Sequence, residues 1–265
     1  MRLVPTPERV QLLGFALASA QQLFPGVEIL AVCAMSNHLH LVVRDRDAEL
    51  SDFMQHFLSA LAVALNALDG LHGPVFERRF AEIPILDEVS LFARVAYAVA
   101  NPVEADLVRT HRDWAGLVMF AGRVPWRRTF SRFNEPAYLR ALDRADVSRS
   151  AFYETATLQI RPVDDRLARG FEQAIKDREA ELRREQASVV GMEKVLEMPA
   201  LTRPKGTARS PMPLCFARSR EAWLAFRDAW RSWCAAFYSA SERFRGGELT
   251  AAFPAGAFRP SCFAG

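Results

Sequence analysis

The stretch AMSNHLHLVV, residues 34–43, places two of the chain's five histidines on what should be a β-strand. The apolar and β-branched run VEILAVCA, residues 27–34, precedes it, and Ser36 and Asn37 are residues typical of turns. The pattern therefore predicts a tight hairpin of two strands, over residues 27–34 and 38–44.

Alternate side chains on a strand point to the same face, so His38 and His40 should project together. Leu39, between them, should point to the opposite, core-facing side. Two neighbouring imidazoles are a natural pair of ligands for a divalent ion. The pattern alone also allows a second interpretation, in which the two histidines are a hydrogen-bonded pair at a strand edge.

Three segments around the hairpin carry apolar residues at helical spacing: residues 7–23, 49–68 and 87–100. Asn101–Pro102 predicts the end of the third helix, because proline disfavours helical geometry in the residue before it. Residues 75–83 suit a strand or an extended segment.

Tyr97 and Asn101 are four residues apart and should share one face of the third helix. Asn101 could lend a side-chain carbonyl oxygen to a metal, and Tyr97 could stand beside it as a nucleophile. The alternatives are a core aromatic residue and an ordinary helix-end residue, and spacing does not decide between them.

The blocks MSNHLHLVV, VFERRF, YAVANPVEADLV and DWAG, taken together, resemble the HUH single-strand DNA transposases, in particular the REP-associated tyrosine transposases. The resemblance covers roughly residues 7–120. It implies an α+β fold, with a ferredoxin-like antiparallel sheet and helices on one face. The family's first strand would be missing or truncated here, since only MRLV precedes Pro5. The catalytic domain would span residues 1–125.

The resemblance also implies roles for individual residues. His38, His40 and Asn101 would hold Mg²⁺ or Mn²⁺. Tyr97 would attack hairpin-forming single-stranded DNA, so that nicking and strand transfer pass through a 5′-phosphotyrosine intermediate.

Arg78 and Arg79 could contact phosphates, or they could be an ordinary solvated pair. Glu104 and Asp106 stand where the family usually has arginine and glycine, and both would repel a phosphate. Two alternatives therefore stay open: a non-catalytic, domesticated nucleic-acid-binding descendant, and an unrelated hydrolytic metalloprotein.

The charge of the chain is divided unevenly. Residues 1–125 carry 10 arginines, no lysine and 14 acidic residues, a net charge of −4, whereas residues 126–265 carry 24 basic and 17 acidic residues, a net charge of +7. A polyanion should therefore be drawn mainly to the C-terminal half.

This C-terminal half should be a mostly helical extension that begins with a loop-like basic run, PWRRTFSRFNEP. A charged helix is predicted over 164–189, a linker over 191–217 and a further helix over 219–243. The last helix carries aromatic residues spaced 3, 4, 3 and 4 along one face. Such a stripe predicts either core packing or the stacking of unpaired bases.

The sequence shows neither a signal-peptide pattern nor an apolar run long enough to span a bilayer. The four cysteines lack CxxC spacing and are interpreted as reduced thiols, which favours a cytoplasmic protein without membrane association. The sequence leaves both a monomer and a homodimer open.

Overall fold

The structure is a computed structural model that describes residues 3–76, 79–142, 148–199 and 213–257. The chain divides into two compact units. The first contains residues 1–81 and 92–208, and the second contains residues 82–91 and 209–265.

The described residues confirm the α+β class, with two small antiparallel sheets and a helical C-terminal region. The helices are α1 Pro7–Leu23, α2 Leu50–Asp69, α3 Glu88–Glu104, α4 Glu135–Leu142, α5 Asp165–Glu185, α6 Met192–Glu197 and α7 Arg220–Arg245. The strands are β1 Val27–Ala34, β2 Leu39–Asp45, β3 Val118–Phe120, β4 Trp126–Phe133 and β5 Tyr153–Ile160.

The first sheet has the order β2-β1-β3, and all of its described pairings are antiparallel. The predicted hairpin is confirmed, with Cys33 opposite His40 and Ala34 opposite Leu39. β1 is buried along nearly its whole length, as expected of a central strand that is covered on both faces. Among the residues that the structure describes, this sheet has three strands.

Two residues of the DWAG motif fix the end of β1 beside the hairpin turn. Trp114 is buried, and its indole Nε1 donates a hydrogen bond to the carbonyl oxygen of Ala34 at 2.9 Å. A Cβ on Gly116 would lie 2.3 Å from that indole nitrogen and 2.8 Å from the same carbonyl oxygen. Only glycine therefore fits without a shift of these neighbours, so the motif has a packing role next to the histidine turn.

Helix α1 has the predicted bounds, and the side chain of Thr6 accepts a hydrogen bond from the backbone N–H of Arg9. The helix approaches β4 so closely that a Cβ on Gly14 would lie 2.3 Å from the ring of Phe130. Phe130 is fully buried. The core of the first unit therefore includes residues beyond 125, and the assignment of the catalytic domain to residues 1–125 stays a prediction.

Residues 75–83 were predicted to form a strand or an extended segment; their described part forms no strand, which leaves the second alternative. Two predictions of local structure were wrong. Helix α3 does not end at Asn101–Pro102 but continues to Glu104, because a proline in the last turn removes only one helical hydrogen bond. The run PWRRTFSRFNEP is not a loop, since most of it forms β4, paired with β5.

The later helices agree better with the sequence-based predictions. The predicted helices over 164–189 and 219–243 correspond to α5 and α7. The predicted linker over 191–217 contains the short helix α6, and its residues 200–212 lie outside the described residues. No helix within the described ranges is long and apolar enough to cross a membrane.

Candidate active site

Four side chains that the sequence singled out come together between β2 and α3. The rings of His38 and His40 are 4.7 Å apart, centroid to centroid, and those of His40 and Tyr97 are 5.3 Å apart. The Nε2 atom of His38 lies 3.3 Å from Oδ1 of Asn101. Two segments about sixty residues apart in the chain therefore build one cluster.

The burial of side chains along β2 differs from the sequence-based prediction. Leu39 is only half-buried, whereas Val42, on the same face as His40, is 6% exposed. Leu39 is therefore less buried than the core-facing side chain that the sequence predicts. On the other face, the ring of His40 contacts Tyr97 and the ring of His38 contacts Asn101, both on α3.

The position of the proton on His38 follows from its neighbours. Nδ1 of His38 lies 2.6 Å from Oδ1 of Asn37, and a side-chain carbonyl oxygen can only accept a hydrogen bond. With the Asn37 amide in this orientation, the proton of a neutral His38 ring is on Nδ1. The Nε2 atom of His38 contacts Oδ1 of Asn101 at 3.3 Å, and the tautomer of the ring decides whether Nε2 donates a hydrogen bond there or offers a lone pair.

His40 brings a third nitrogen or oxygen atom to the cluster. Its Nε2 atom is buried and has no hydrogen-bond partner among the described residues. A buried polar atom without a partner costs stability unless something else satisfies it. Asn101, 7% exposed, brings its amide oxygen to the same cluster.

These donors fit a divalent ion such as Mn²⁺ or Mg²⁺. Two imidazole nitrogens and one amide oxygen are ligand types that such ions accept, with Mn²⁺ at least as well suited as Mg²⁺. Within the described ranges no group of three His, Cys, Asp or Glu side chains could hold a metal, so the candidate set here consists of two imidazoles and one amide.

Burial keeps both histidines uncharged at neutral pH. It lowers the pKa of His40 to about 4, the nearby charge of His38 lowers it further, and the Asn101 side chain opposes the shift. Partial burial of the ring also lowers the pKa of His38, against the opposing hydrogen bond with Asn101, although the residue as a whole is exposed. Neutral imidazoles are the form that binds a metal.

Tyr97 is half-buried, and the guanidinium carbon of Arg94 lies 5.2 Å from the centre of its ring. Arg94 precedes Tyr97 by three residues, so the two side chains are neighbours on α3. This arrangement brings a cation to the proposed nucleophile, where it could meet a phosphate.

The predicted arginine pair is not brought to the cluster. Arg78 lies outside the described residues. Arg79 is exposed in a segment without regular structure, and no described hydrogen bond, ion pair or ring contact joins it to the histidines or Tyr97. Its predicted contact with phosphates stays a prediction.

The two acidic residues after Asn101 have partners within the first unit. Glu104 forms an ion pair with Arg178 at 3.2 Å, and Asp106 accepts a hydrogen bond from the Gln186 side chain. The repulsion that the sequence suggested is therefore partly offset by a neighbouring positive charge.

Sequence reasoning missed Asn37 and Arg94 as parts of the cluster. Asn37 was interpreted only as a turn residue, although its place directly before His38 allows its side chain to reach the imidazole. Arg94 could have been found from its spacing of three residues before Tyr97 on a predicted helix.

No family model, no curated protein and no solved structure matches this chain.

Proposed function

We propose that this protein nicks and rejoins single-stranded DNA through a covalent bond between Tyr97 and a 5′ phosphate. The observation that carries the proposal is the cluster itself. Three atoms that can give an electron pair to a metal (Nε2 of His38, Nε2 of His40 and Oδ1 of Asn101) gather beside a tyrosine, and one of them, Nε2 of His40, is buried without a hydrogen-bond partner among the described residues. A protein that used these residues only for packing would gain nothing from such an arrangement.

In the proposed reaction the Tyr97 oxygen attacks the phosphorus of one phosphodiester and loses its proton to solvent. The bond from phosphorus to the 3′ oxygen breaks, and that oxygen leaves as a free 3′-hydroxyl. The phosphate stays on Tyr97 as a 5′-phosphotyrosine. Attack by another 3′-hydroxyl reverses these steps and joins two strands, so that no external energy source is needed.

His38, His40 and Asn101 would hold a divalent ion. When bound, the ion would polarise the scissile phosphate and stabilise the leaving oxygen. Asn37 would keep the proton of His38 on Nδ1 and thereby present Nε2 as a donor. Support from a second residue of this kind is common where histidine binds a metal.

Arg94, beside the Tyr97 ring, would bind a non-bridging oxygen of the same phosphate. A guanidinium offers paired N–H donors that match two phosphate oxygens. Because Arg94 and Tyr97 share one helix face, a phosphate held by the arginine would be close to the tyrosine oxygen.

The proposal is tested by trapping the covalent intermediate. The full chain is incubated with Mn²⁺ and a pool of hairpin-bearing single strands, including palindromic repeats from the DNA that flanks the gene. We expect an adduct that survives denaturation. A label at the 3′ end of the strand should stay with the protein, and a label at the 5′ end should be released.

Tyr97→Phe should abolish the adduct, while Tyr153→Phe should leave it unchanged, since Tyr153 is an exposed tyrosine on β5. An adduct that persists in the Tyr97→Phe variant would refute the assignment of the nucleophile. Hairpin binding without any adduct in the native chain would favour the non-catalytic descendant instead.

A further inference from the structure

Helix α7, in the second unit, carries an aromatic stripe that the proposed reaction does not use. The stripe consists of Trp223, Phe226, Trp230, Trp233 and Phe237 on one helix face. The rings of Trp230 and Trp233 are nearly parallel, at 8°, with centroids 5.5 Å apart, and Trp233 and Phe237 stack in the same way.

The C-terminal half of the stripe is covered by the segment that follows α7. The indole nitrogen of Trp233 donates a hydrogen bond to the carbonyl oxygen of Ala255 at 3.0 Å. The ring of Phe253 contacts the rings of both Phe237 and Phe244 edge to face. Here the prediction of core packing fits the structure.

The N-terminal half is different, because its indoles remain accessible. Trp223 is 38% exposed and Trp230 is 44% exposed. Tryptophan is usually well buried, so two accessible indoles on one face are unusual. Seven residues separate them, which places them on the same side of the helix about 10 Å apart along its axis.

Arginines run along one edge of this accessible half. Each residue of an α-helix is rotated by about 100° about the helix axis from the one before it. By this rotation three arginines lie within roughly 80° of Trp223, on the side away from Trp233: Arg220, Arg227 and Arg231. The guanidinium of Arg227 lies 5.3 Å from the centre of the Trp223 ring and also pairs with Asp228. The surface therefore combines flat aromatic rings with an adjacent row of positive charge.

We propose that this surface of α7, defined by Trp223, Trp230, Arg220, Arg227 and Arg231, binds single-stranded DNA. Unpaired bases would stack on the two indoles, and phosphates would lie along the arginines. Binding without sequence preference uses this combination of a positively charged track and aromatic platforms. The charge pattern favours a polyanion over an apolar partner helix, which would have to bury the arginines.

The proposal does not depend on the nicking reaction, and its test keeps the two apart. The full chain carrying Tyr97→Phe is used without added metal and with EDTA, so that neither the tyrosine nor a metal contributes. Binding is followed by fluorescence anisotropy with a labelled mixed-sequence strand of about 20 nucleotides, longer than a typical single-strand site.

Replacing Trp223 or Trp230 with alanine should weaken binding about 5- to 100-fold per indole, and phenylalanine at the same positions should restore most of the loss. Each of Arg220→Gln and Arg231→Gln should flatten the plot of log affinity against log salt by about 0.7. The matched control is Arg243→Gln, because Arg243 lies on the same helix but is paired with Glu248. It should leave the slope unchanged.

Unchanged melting temperatures in the tryptophan variants would show that the losses come from lost contacts. The proposal is overturned if the Trp223→Ala/Trp230→Ala double variant binds the strand as tightly as the parent. It is also overturned if that variant only abolishes self-association, since the face would then be an interface between two copies. Neither result bears on the adduct at Tyr97.

Discussion

The Nε2 atom of His38 and the Oδ1 atom of Asn101 face each other at 3.3 Å, although 63 residues separate them in the chain. With the proton of His38 on Nδ1, toward Asn37, both facing atoms would offer electron pairs to a cation. This relationship makes a pair of strand histidines and a helical amide a candidate metal site.

We expect Asn101→Ala to weaken Mn²⁺ binding by more than the roughly 10- to 100-fold typical of losing an outer-shell partner, because one of three direct donors is lost. Asn101→Asp should keep or strengthen binding, since a carboxylate oxygen replaces the amide oxygen and adds charge. Isothermal titration calorimetry of the three proteins measures the effect. Equal weakening by alanine and aspartate would mean that Asn101 acts through packing and not as a ligand.

Leu39→Ala should cost about 1–2 kcal/mol of unfolding free energy, less than the 2–5 kcal/mol of a fully buried leucine, because Leu39 is half-buried. His40→Ala should cost little, since it removes a buried nitrogen that has no partner. Urea unfolding gives the free energies, and Mn²⁺ titration should show the opposite order, with binding lost in His40→Ala and kept in Leu39→Ala. Metal affinity that is the same in both variants would refute the site.

The low pKa of His40 predicts a dependence of stability on pH. In the unfolded chain a histidine takes up its proton near pH 6.5, whereas the folded state resists it until about pH 4. Stability should therefore fall as the pH drops through this window, by at most about 1.4 kcal/mol per pH unit from this residue. His40→Gln should remove this part of the decline, as measured by urea unfolding without metal from pH 7.5 to 4.5. A decline of the same slope in His40→Gln would contradict the prediction.

Arg94 and Arg79 should affect the reaction differently. Arg94→Gln should slow adduct formation about 10- to 100-fold, because the cation beside Tyr97 is lost. Arg79→Gln should change only non-covalent affinity, with a salt slope flatter by about 0.7 and an unchanged rate for the bound strand. Single-turnover kinetics at saturating DNA separates these effects. If the two substitutions slowed that rate equally, the proposed contact between Arg94 and the scissile phosphate would be wrong.

Much of the local structure could be predicted from the sequence. The periodicity of residues 7–23 and the turn residues between two β-branched runs predict α1 and the hairpin, and both were confirmed. The i, i+2 spacing of His38 and His40 and the i, i+4 spacing of Tyr97 and Asn101 also place each pair on one face. These features depend on neighbours in the chain, so a local pattern is enough to predict them.

The tertiary structure decided what local patterns could not. It carries α3 through Pro102, leaves Leu39 only half-buried, and packs β4 and β5 against α1. The meeting of His38 with Asn101 and the arginine above Tyr97 depend on how a strand and a helix distant in sequence pack together. The sequence by itself determined which chemical groups share one face of a strand or helix. Packing between distant segments decided which faces meet, because the stability gained by burial depends on how well two whole surfaces fit together and not on residue spacing within one of them.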